Sequence, residues 1–208
     1  EMRLGTSGME FASEMIMEAG ARDLDIAEEP ITYHEREGDA TLDSFEDGWR
    51  HVRFMLVNAP GYLFSVPGAV LGAVGALVMA FALFDVQFGA TSFGIHSMIA
   101  ASMLTIAAFQ VVSLGVFSTI AGDPIRKPTD PATTWITENL TLESGVTTGV
   151  VVFALGAGYA TFLVTQWATS GFTQVPLVMN DIVAFTAISL GMQMVFSSFF
   201  LSTIAADD

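Results

Sequence analysis

The sequence predicts an α-helical integral membrane protein: four transmembrane helices, preceded by an interfacial amphipathic helix and by the tail end of an α/β domain. Of its 208 residues, 52% are hydrophobic and only 14% are charged, a balance typical of membrane proteins. The charge is concentrated at the start, where residues 1–60 hold fourteen of the twenty-two Asp and Glu residues. We therefore predict a polar head in residues 1–42, a connecting helix in 43–59 and a membrane domain in 60–208.

The head begins with a predicted helix and a predicted extended segment. Between Gly8 and Ala19, three glutamates recur at four-residue spacing, which places them on one helical face: Glu10, Glu14 and Glu18. Such a row could be catalytic or could bind a metal, but like charges along one stripe are more typical of a solvated face. Gly20 is the predicted helix stop. The stretch from Leu24 to His34 then predicts an extended segment with Pro30 near a sheet edge, because proline cannot donate to a ladder.

The connecting helix is amphipathic. Between Ser44 and Asn58, apolar side chains recur at helical spacing: Phe45, Trp49, Val52, Met55 and Leu56. Charged side chains occupy the other sides of the helix. Because a predicted span starts only a few residues later, we interpret it as a helix in the membrane interface rather than on a soluble domain. Trp49 is then expected at headgroup depth, with Arg50 and Arg53 near lipid phosphate.

Four apolar runs form the membrane domain, and each is long enough to cross a bilayer. A helix needs about 20 residues to span a hydrocarbon core of roughly 30 Å. A buried core helix usually has far fewer consecutive apolar residues. The runs are Gly61 to Phe84, Phe93 to Ile120, Val146 to Ala168 and Ile182 to Ala205.

Polar groups are scarce within these runs. His96 is the ionisable side chain near the outer end of the second run, so the chain lacks the intramembrane charges that pumps and ion-coupled transporters use. Gln110 and Gln193 occupy similar places in two similar segments, FQVVSLGVFSTIA and MQMVFSSFFLSTIA, which hint at a duplicated helical hairpin. Both glutamines could surround a lipid or substrate groove, but hydrogen bonding between helices is the more usual role.

Glycines in the first and third runs predict close helix packing: Gly68, Gly72, Gly75, Gly149, Gly156 and Gly158. The connectors predict the orientation. Those on one side of the membrane contain neither Lys nor Arg, whereas Arg50, Arg53, Arg126 and Lys127 lie on the other. The positive-inside rule then makes the head, the central loop and the C-terminus cytoplasmic in the cell membrane.

The overall charge carries a separate signal. The formal net charge is −15, and the chain has a single Lys, so nucleic acid is an unsuitable partner. Such an acidic surface stays hydrated in high salt and predicts a halophilic, archaeal source. The chain has no cysteine, and its three histidines are scattered, so the sequence indicates neither disulfides nor a metal site.

Several stretches together resemble a known family. GMEFASEM, IAEEPITY, REG and DGWRHVRFML directly before PGYLF are similar to the end of the catalytic domain and the start of the membrane domain in family 2 glycosyltransferases such as dolichol-phosphate mannose and glucose synthases. The resemblance covers about residues 5–80 and, more loosely, the remaining spans. It implies a GT-A-like fold for the head. It also implies transfer of a sugar from a nucleotide-sugar donor to polyprenyl (dolichyl) phosphate at the cytoplasmic face.

The resemblance also implies site residues. Arg36 and Gly38 match the family loop whose arginine faces the donor diphosphate, although Ala40 and Thr41 stand where serine and lysine are usual. A guanidinium suits that role because it can grip phosphate oxygens bidentately. Arg50 and Arg53, with Trp49, are expected at the lipid acceptor and its headgroup.

The resemblance assigns no catalytic or metal-binding residue to this sequence. Family members use Mg²⁺ or Mn²⁺, but their acidic donor- and metal-binding motifs do not occur here and are expected before Glu1, in a missing N-terminal part. The alternative is a non-catalytic four-helix membrane protein, such as a flippase subunit for lipid-linked sugars or a scaffold. The sequence does not predict the oligomeric state.

Overall fold

The computed structural model is built mainly of helices. It describes these parts of the chain: residues 4–6, 8, 10–32, 34, 44–89, 91–121, 131–139, 141–173 and 178–205. Two helices of the polar head come first, α1 (Glu10–Ala21) and α2 (Ser44–Asn58). Membrane-length helices make up most of the remainder.

The four predicted membrane spans are confirmed. The first runs over Gly61–Leu83 and consists of a π-helical turn followed by α3 (Val66–Leu83). The others are α4 (Ile95–Ala121), α6 (Leu142–Thr169) and α7 (Val178–Ala205). All four are long and apolar enough to cross a bilayer. The protein is therefore a multi-pass α-helical membrane protein.

The third span begins four residues before its predicted start because the chain carries a capping signal there. The Thr141 hydroxyl accepts a hydrogen bond from the Ser144 backbone N–H, and the Ser144 hydroxyl accepts one from the Thr141 N–H. This reciprocal pair satisfies two backbone donors that a helix start would otherwise leave unpaired. Glu143, which lies in the same first turn, suits the positive end of the helix dipole.

The π-helical turn, Gly61–Ser65, joins the head to the membrane domain. Pro67 is the second residue of α3 and has no N–H, so the Leu63 carbonyl loses its usual donor and is crowded by the proline ring. In the wider turn, the Val66 N–H instead donates to the Gly61 carbonyl, five residues earlier. Pro60 also has helical backbone angles, φ −63° and ψ −34°, so α2 leads almost directly into the first span.

The spans form two antiparallel hairpins, α3 with α4 and α6 with α7. On α3, the predicted close packing is confirmed at all three glycines. A Cβ atom on Gly68 would lie 3.1 Å from the Val112 nitrogen, and one on Gly72 would lie 3.4 Å from Ala108 Cβ. A Cβ on Gly75 would meet the Ala101 carbonyl oxygen at 2.9 Å. Glycine therefore lets α4 approach the α3 backbone.

Glycines also permit close contact between α6 and α7 in the second hairpin. A Cβ on Gly149 would lie 2.8 Å from the Val195 nitrogen, and one on Gly156 would lie 2.8 Å from the Ile188 nitrogen. The prediction is wrong for Gly158, which faces open space. Gly191 of α7, which the sequence did not single out, packs directly on the α6 backbone beside Phe153.

The two hairpins meet where α4 contacts α7. The buried Ser102 and Thr186 hydroxyls lie 2.6 Å apart, one from each hairpin. The Thr186 hydroxyl donates to the Ile182 carbonyl at 2.6 Å, so Ser102 is the donor to Thr186. A hydrogen bond of this kind between membrane helices is worth about 0.6 kcal/mol.

Short elements occupy the connections. Strands β1 (Gln87–Phe88) and β2 (Thr91–Ser92) pair antiparallel between α3 and α4. Helix α5 (Pro131–Asn139) lies between α4 and α6 and contacts α3, α4 and the π-helical turn. Helix α5 was not expected from the sequence, although proline at a first helical position after an aspartate is a known start signal.

The head departs from prediction in three ways. Residues 24–32 form no strand, because a strand needs a neighbour to pair with and no described residue supplies one there. Helix α1 runs past Gly20 to Ala21, and the chain then reverses at Asp23, whose φ is 50°. Glu14, expected on a solvated face, is buried. The assignment of residues 1–42 to an α/β domain stays a prediction.

Glu14 holds the segment that precedes α1. Its carboxylate accepts hydrogen bonds from the backbone N–H groups of Gly5 and Thr6, each at 2.9 Å, and from the Thr6 hydroxyl at 2.5 Å. The Gly5 N–H is the main cause that lowers the pKa of Glu14 below its ordinary value, followed by the two Thr6 donors, while burial acts in the opposite direction.

We expect acid to release this segment. Because the pKa of Glu14 is lowered in the folded chain, the carboxylate contributes stability above its ordinary pKa, and that stability is lost as the pH falls through the folded value. The amide NMR shifts of Gly5 and Thr6 should then move to those that Glu14→Gln shows at neutral pH. Glu10→Gln is the matched control. Unmoved Gly5 and Thr6 shifts in Glu14→Gln would contradict the anchoring role.

Candidate functional site

The structure brings two of the predicted headgroup residues together. Arg50 and Arg53 line one cleft of about 500 Å³ between the N-terminal segment, α1 and α2. The other lining residues are Thr6, Glu10, Phe54, Val57 and Asn58. The predicted donor residues, Arg36 and Gly38, lie outside the described residues. Their role stays a prediction.

Charges of both signs meet in this cleft. Arg50 Nη2 lies 2.6 Å from Glu46 Oε1 one helical turn away, and both side chains are largely exposed, so the pair contributes little to stability. Arg53 is exposed and has no ion pair with any described residue. Within the same described part, Glu10 Oε2 is buried without a hydrogen-bond partner. The cleft therefore offers guanidinium groups beside one unsatisfied carboxylate.

Trp49 lies outside this cleft, on the apolar face of α2. Phe45, Trp49 and Val52 form a stripe at helical spacing, with exposed fractions of 86%, 60% and 47%. Aromatic side chains exposed this far beside a membrane span are typical of an interfacial helix. A helix forms over the stretch that has the amphipathic pattern, Ser44–Asn58. Its position in the membrane interface stays a prediction.

A second and larger pocket lies inside the membrane domain, with a volume of about 650 Å³. Helices α4, α5, α6 and α7 form its wall. The lining residues are Phe109, Val112, Ser113, Val116, Phe117, Ile120, Ile136, Thr141, Leu142, Gly145, Thr148, Met194, Ser197, Ser198, Leu201 and Ser202. We call this the bundle pocket.

The bundle pocket lies toward one end of the transmembrane helices. Its α4 lining extends from Phe109 to Ile120, which is roughly 16 Å of helix at 1.5 Å per residue, about half of a hydrocarbon core. These residues lie near the C-terminal end of α4. The lining residues of α7 likewise lie near the C-terminal end of that helix. The first span starts directly after α2, and successive spans alternate in direction. The pocket therefore lies at the same membrane surface as the Arg50–Arg53 cleft.

The pocket wall is apolar with scattered hydroxyl groups. Some hydroxyls are already used within their own helices: Thr148 donates to the Ser144 carbonyl at 2.7 Å, and Ser198 donates to the Met194 carbonyl at 2.8 Å. Phe117 and Phe200 close part of the gap between α4 and α7, with ring centroids 4.8 Å apart. A wall of this composition suits a hydrocarbon chain.

The sequence contained a signal for this pocket. The two similar segments, residues 109–121 of α4 and 192–205 of α7, supply most of its wall. The glutamines in them do not line it. The prediction that Gln110 and Gln193 form interhelical hydrogen bonds is wrong within the described part of one chain. Gln110 is exposed, and Gln193 Oε1 is buried without a partner.

The described residues do not fit a divalent metal site. Within that part of the chain, no three His, Asp or Glu side chains cluster so that they could hold an ion. The expected Mg²⁺ or Mn²⁺ therefore has no ligand set among the described residues.

The fold and the site define a class: a multi-pass membrane protein with a lipid-sized pocket in one leaflet and cations at the adjoining surface. Residues 120–205 match the family model described as the glycosyltransferase family 2 C-terminal transmembrane region. This match confirms the predicted resemblance to family 2 glycosyltransferases.

A curated relative agrees with this match. The chain is 54% identical over 203 residues to the low-salt glycan biosynthesis hexosyltransferase Agl6 of Haloferax volcanii. The alignment covers 98% of this chain and 49% of that protein, so the chain spans about half the length of its relative. The haloarchaeal source of that relative is in keeping with the acid-rich composition found here. No solved structure matches the chain.

Proposed function

We propose that this chain is the membrane portion of a glycosyltransferase that transfers a sugar from a nucleotide-sugar donor to polyprenyl (dolichyl) phosphate at the cytoplasmic membrane face. The bundle pocket is the observation that carries the proposal. It offers space for a hydrocarbon chain in the leaflet that adjoins α2. The family match and the name of the relative, a hexosyltransferase, support the reaction class.

Each part of the acceptor has a place in this proposal. The isoprenoid tail occupies the bundle pocket, while Arg50 and Arg53 attract the lipid phosphate, since charge-assisted hydrogen bonds to phosphate are strong. Trp49 keeps α2 at headgroup depth. Arg36 and Gly38 are proposed to face the donor diphosphate. The scaffold alternative would need no lipid phosphate next to these arginines.

The test is a binding experiment on the 208-residue chain in lipid nanodiscs. A photoactivatable polyprenyl phosphate should label the chain, and unlabelled polyprenyl phosphate should compete better than the corresponding polyprenol. Because a tail moves from lipid into the pocket, its affinity depends on close packing rather than on the hydrophobic effect. Filling the pocket should therefore weaken binding strongly.

Ser202→Phe places a large side chain in the bundle pocket and should reduce labelling about tenfold, since overpacking typically costs 1–3 kcal/mol. The matched control is Thr203→Phe, at the exposed neighbouring position outside the pocket. Arg50→Gln with Arg53→Gln should abolish the preference for the phosphate over the alcohol. Equal labelling of both Phe variants and wild type would refute the assignment of the tail to this pocket.

A further inference from the structure

Helix α4 has a face that no other described element covers. Its exposed residues recur at alternating steps of four and three: His96, Ala100, Met103, Ala107, Gln110 and Leu114. We call this the α4 outer face. The other sides of α4 are occupied, since Ala108 and Val112 adjoin α3, and Ser102 reaches α7. In a bilayer, the α4 outer face would contact lipid tails.

Gln110 is out of place on such a face. It is the sixteenth of the 27 residues of α4 and lies roughly 16 Å along the axis from the nearer helix end. A glutamine side chain is too short to reach the headgroups from there. Its amide carries two donors and an acceptor, which lipid tails cannot satisfy. No described residue of the same chain hydrogen-bonds to it.

We propose that two copies of this chain associate through the α4 outer face, with the Gln110 amides of the two copies hydrogen-bonded to each other. The amide is self-complementary, because its carbonyl accepts what its N–H₂ group donates. Copies in one membrane share the same orientation, so a twofold axis along the membrane normal brings the same residue of each copy together at the same depth.

The remaining residues of the face fit this arrangement. A repeat of three and four residues keeps one seam between two helices that cross at about 20°. Ala100 and Ala107 are small and lie one heptad apart, so they permit the backbones to approach. Met103 and Leu114 supply the larger contacts above and below the amide pair.

The association is measurable as energy transfer in vesicles. Thr173→Cys supplies a unique labelling site, because the chain has no native cysteine. Donor- and acceptor-labelled copies should show transfer that falls as lipid dilutes the protein. Gln110→Leu should weaken the association about eightfold, the loss expected for two interhelical hydrogen bonds. Gln166→Leu, which removes an exposed glutamine from α6, should change nothing.

Two further variants keep the proposal open to refutation. Ala107→Phe should also weaken the association. At lipid ratios where the wild-type chain is monomeric, the variant should unfold at the wild-type temperature, because Ala107 is exposed in the single chain. Met103→Cys should form an intermolecular disulfide. Leu155→Cys should not, although Leu155 lies on α6 and is 68% exposed. Wild-type chains that stay monomeric at every lipid ratio, or Gln110→Leu chains that associate as wild type does, would overturn the proposal.

Discussion

Replacing Gly191 by valine is expected to separate α6 from α7 and to destabilise the protein by about 3 kcal/mol or more, the upper end of the range for overpacked cores. A Cβ atom at this position would lie 2.7 Å from the Gly149 carbonyl oxygen and 2.7 Å from Phe153 Cα. These are backbone atoms, so no side-chain rotation can relieve the clash, and the two helices must move apart.

The free energy of unfolding is measured in mixed micelles by denaturant titration. Gly158→Val is the matched control, because it makes the same change on the same hairpin where a Cβ meets nothing within 4 Å. Its effect should stay within about 0.5 kcal/mol, as for other surface substitutions. If both valine variants unfold at the same denaturant concentration, the close approach of α6 and α7 is not what stabilises this hairpin.

The second large effect is an all-or-none difference in labelling. A cysteine in place of Thr173 should react with an impermeant thiol reagent added to intact cells, whereas one in place of Glu138 should react only after the membrane is opened. Thr173 follows the end of α6, and Glu138 lies on α5 at the opposite end of the bundle. The connector after α6 lacks Lys and Arg, so the positive-inside rule assigns it to the outside.

The absence of native cysteine makes each variant a single-site reporter. Thr91→Cys, in the hairpin between α3 and α4, should behave as Thr173→Cys does. Thr129, the inner position that the sequence itself would suggest, lies outside the described residues, so Glu138 replaces it. Reaction of Glu138→Cys in intact cells, with protection of Thr173→Cys, would reverse the proposed cytoplasmic orientation.

What the sequence predicted well is local or is required by the membrane. An apolar run of sufficient length must become a helix in hydrocarbon, since every backbone group has to be paired within the segment. The four spans follow from that requirement, and α2 follows from its amphipathic pattern. Five of the six glycines expected at helix contacts lie there for a similar reason, because few other residues permit such close approach.

The rest depends on which faces meet, and a single sequence does not show that. The row of three glutamates predicted a solvated stripe, but Glu14 turns inward because the N-terminal segment folds back over α1 and offers it N–H groups. The bundle pocket is lined by α4, α5, α6 and α7, so it depends on how these helices meet. Gln110 and Gln193 look alike in their segments, yet one is exposed and the other is partly buried.

The limited depth of the bundle pocket has a consequence for lipid choice if the proposed function holds. A polyprenyl chain longer than the pocket must leave its far end among ordinary bilayer lipids, where the helices that line the pocket do not contact it. Recognition would then depend on the isoprene units next to the phosphate and on whether those units are saturated. The number of units beyond them would leave affinity unchanged, so carriers of different lengths could serve the same enzyme.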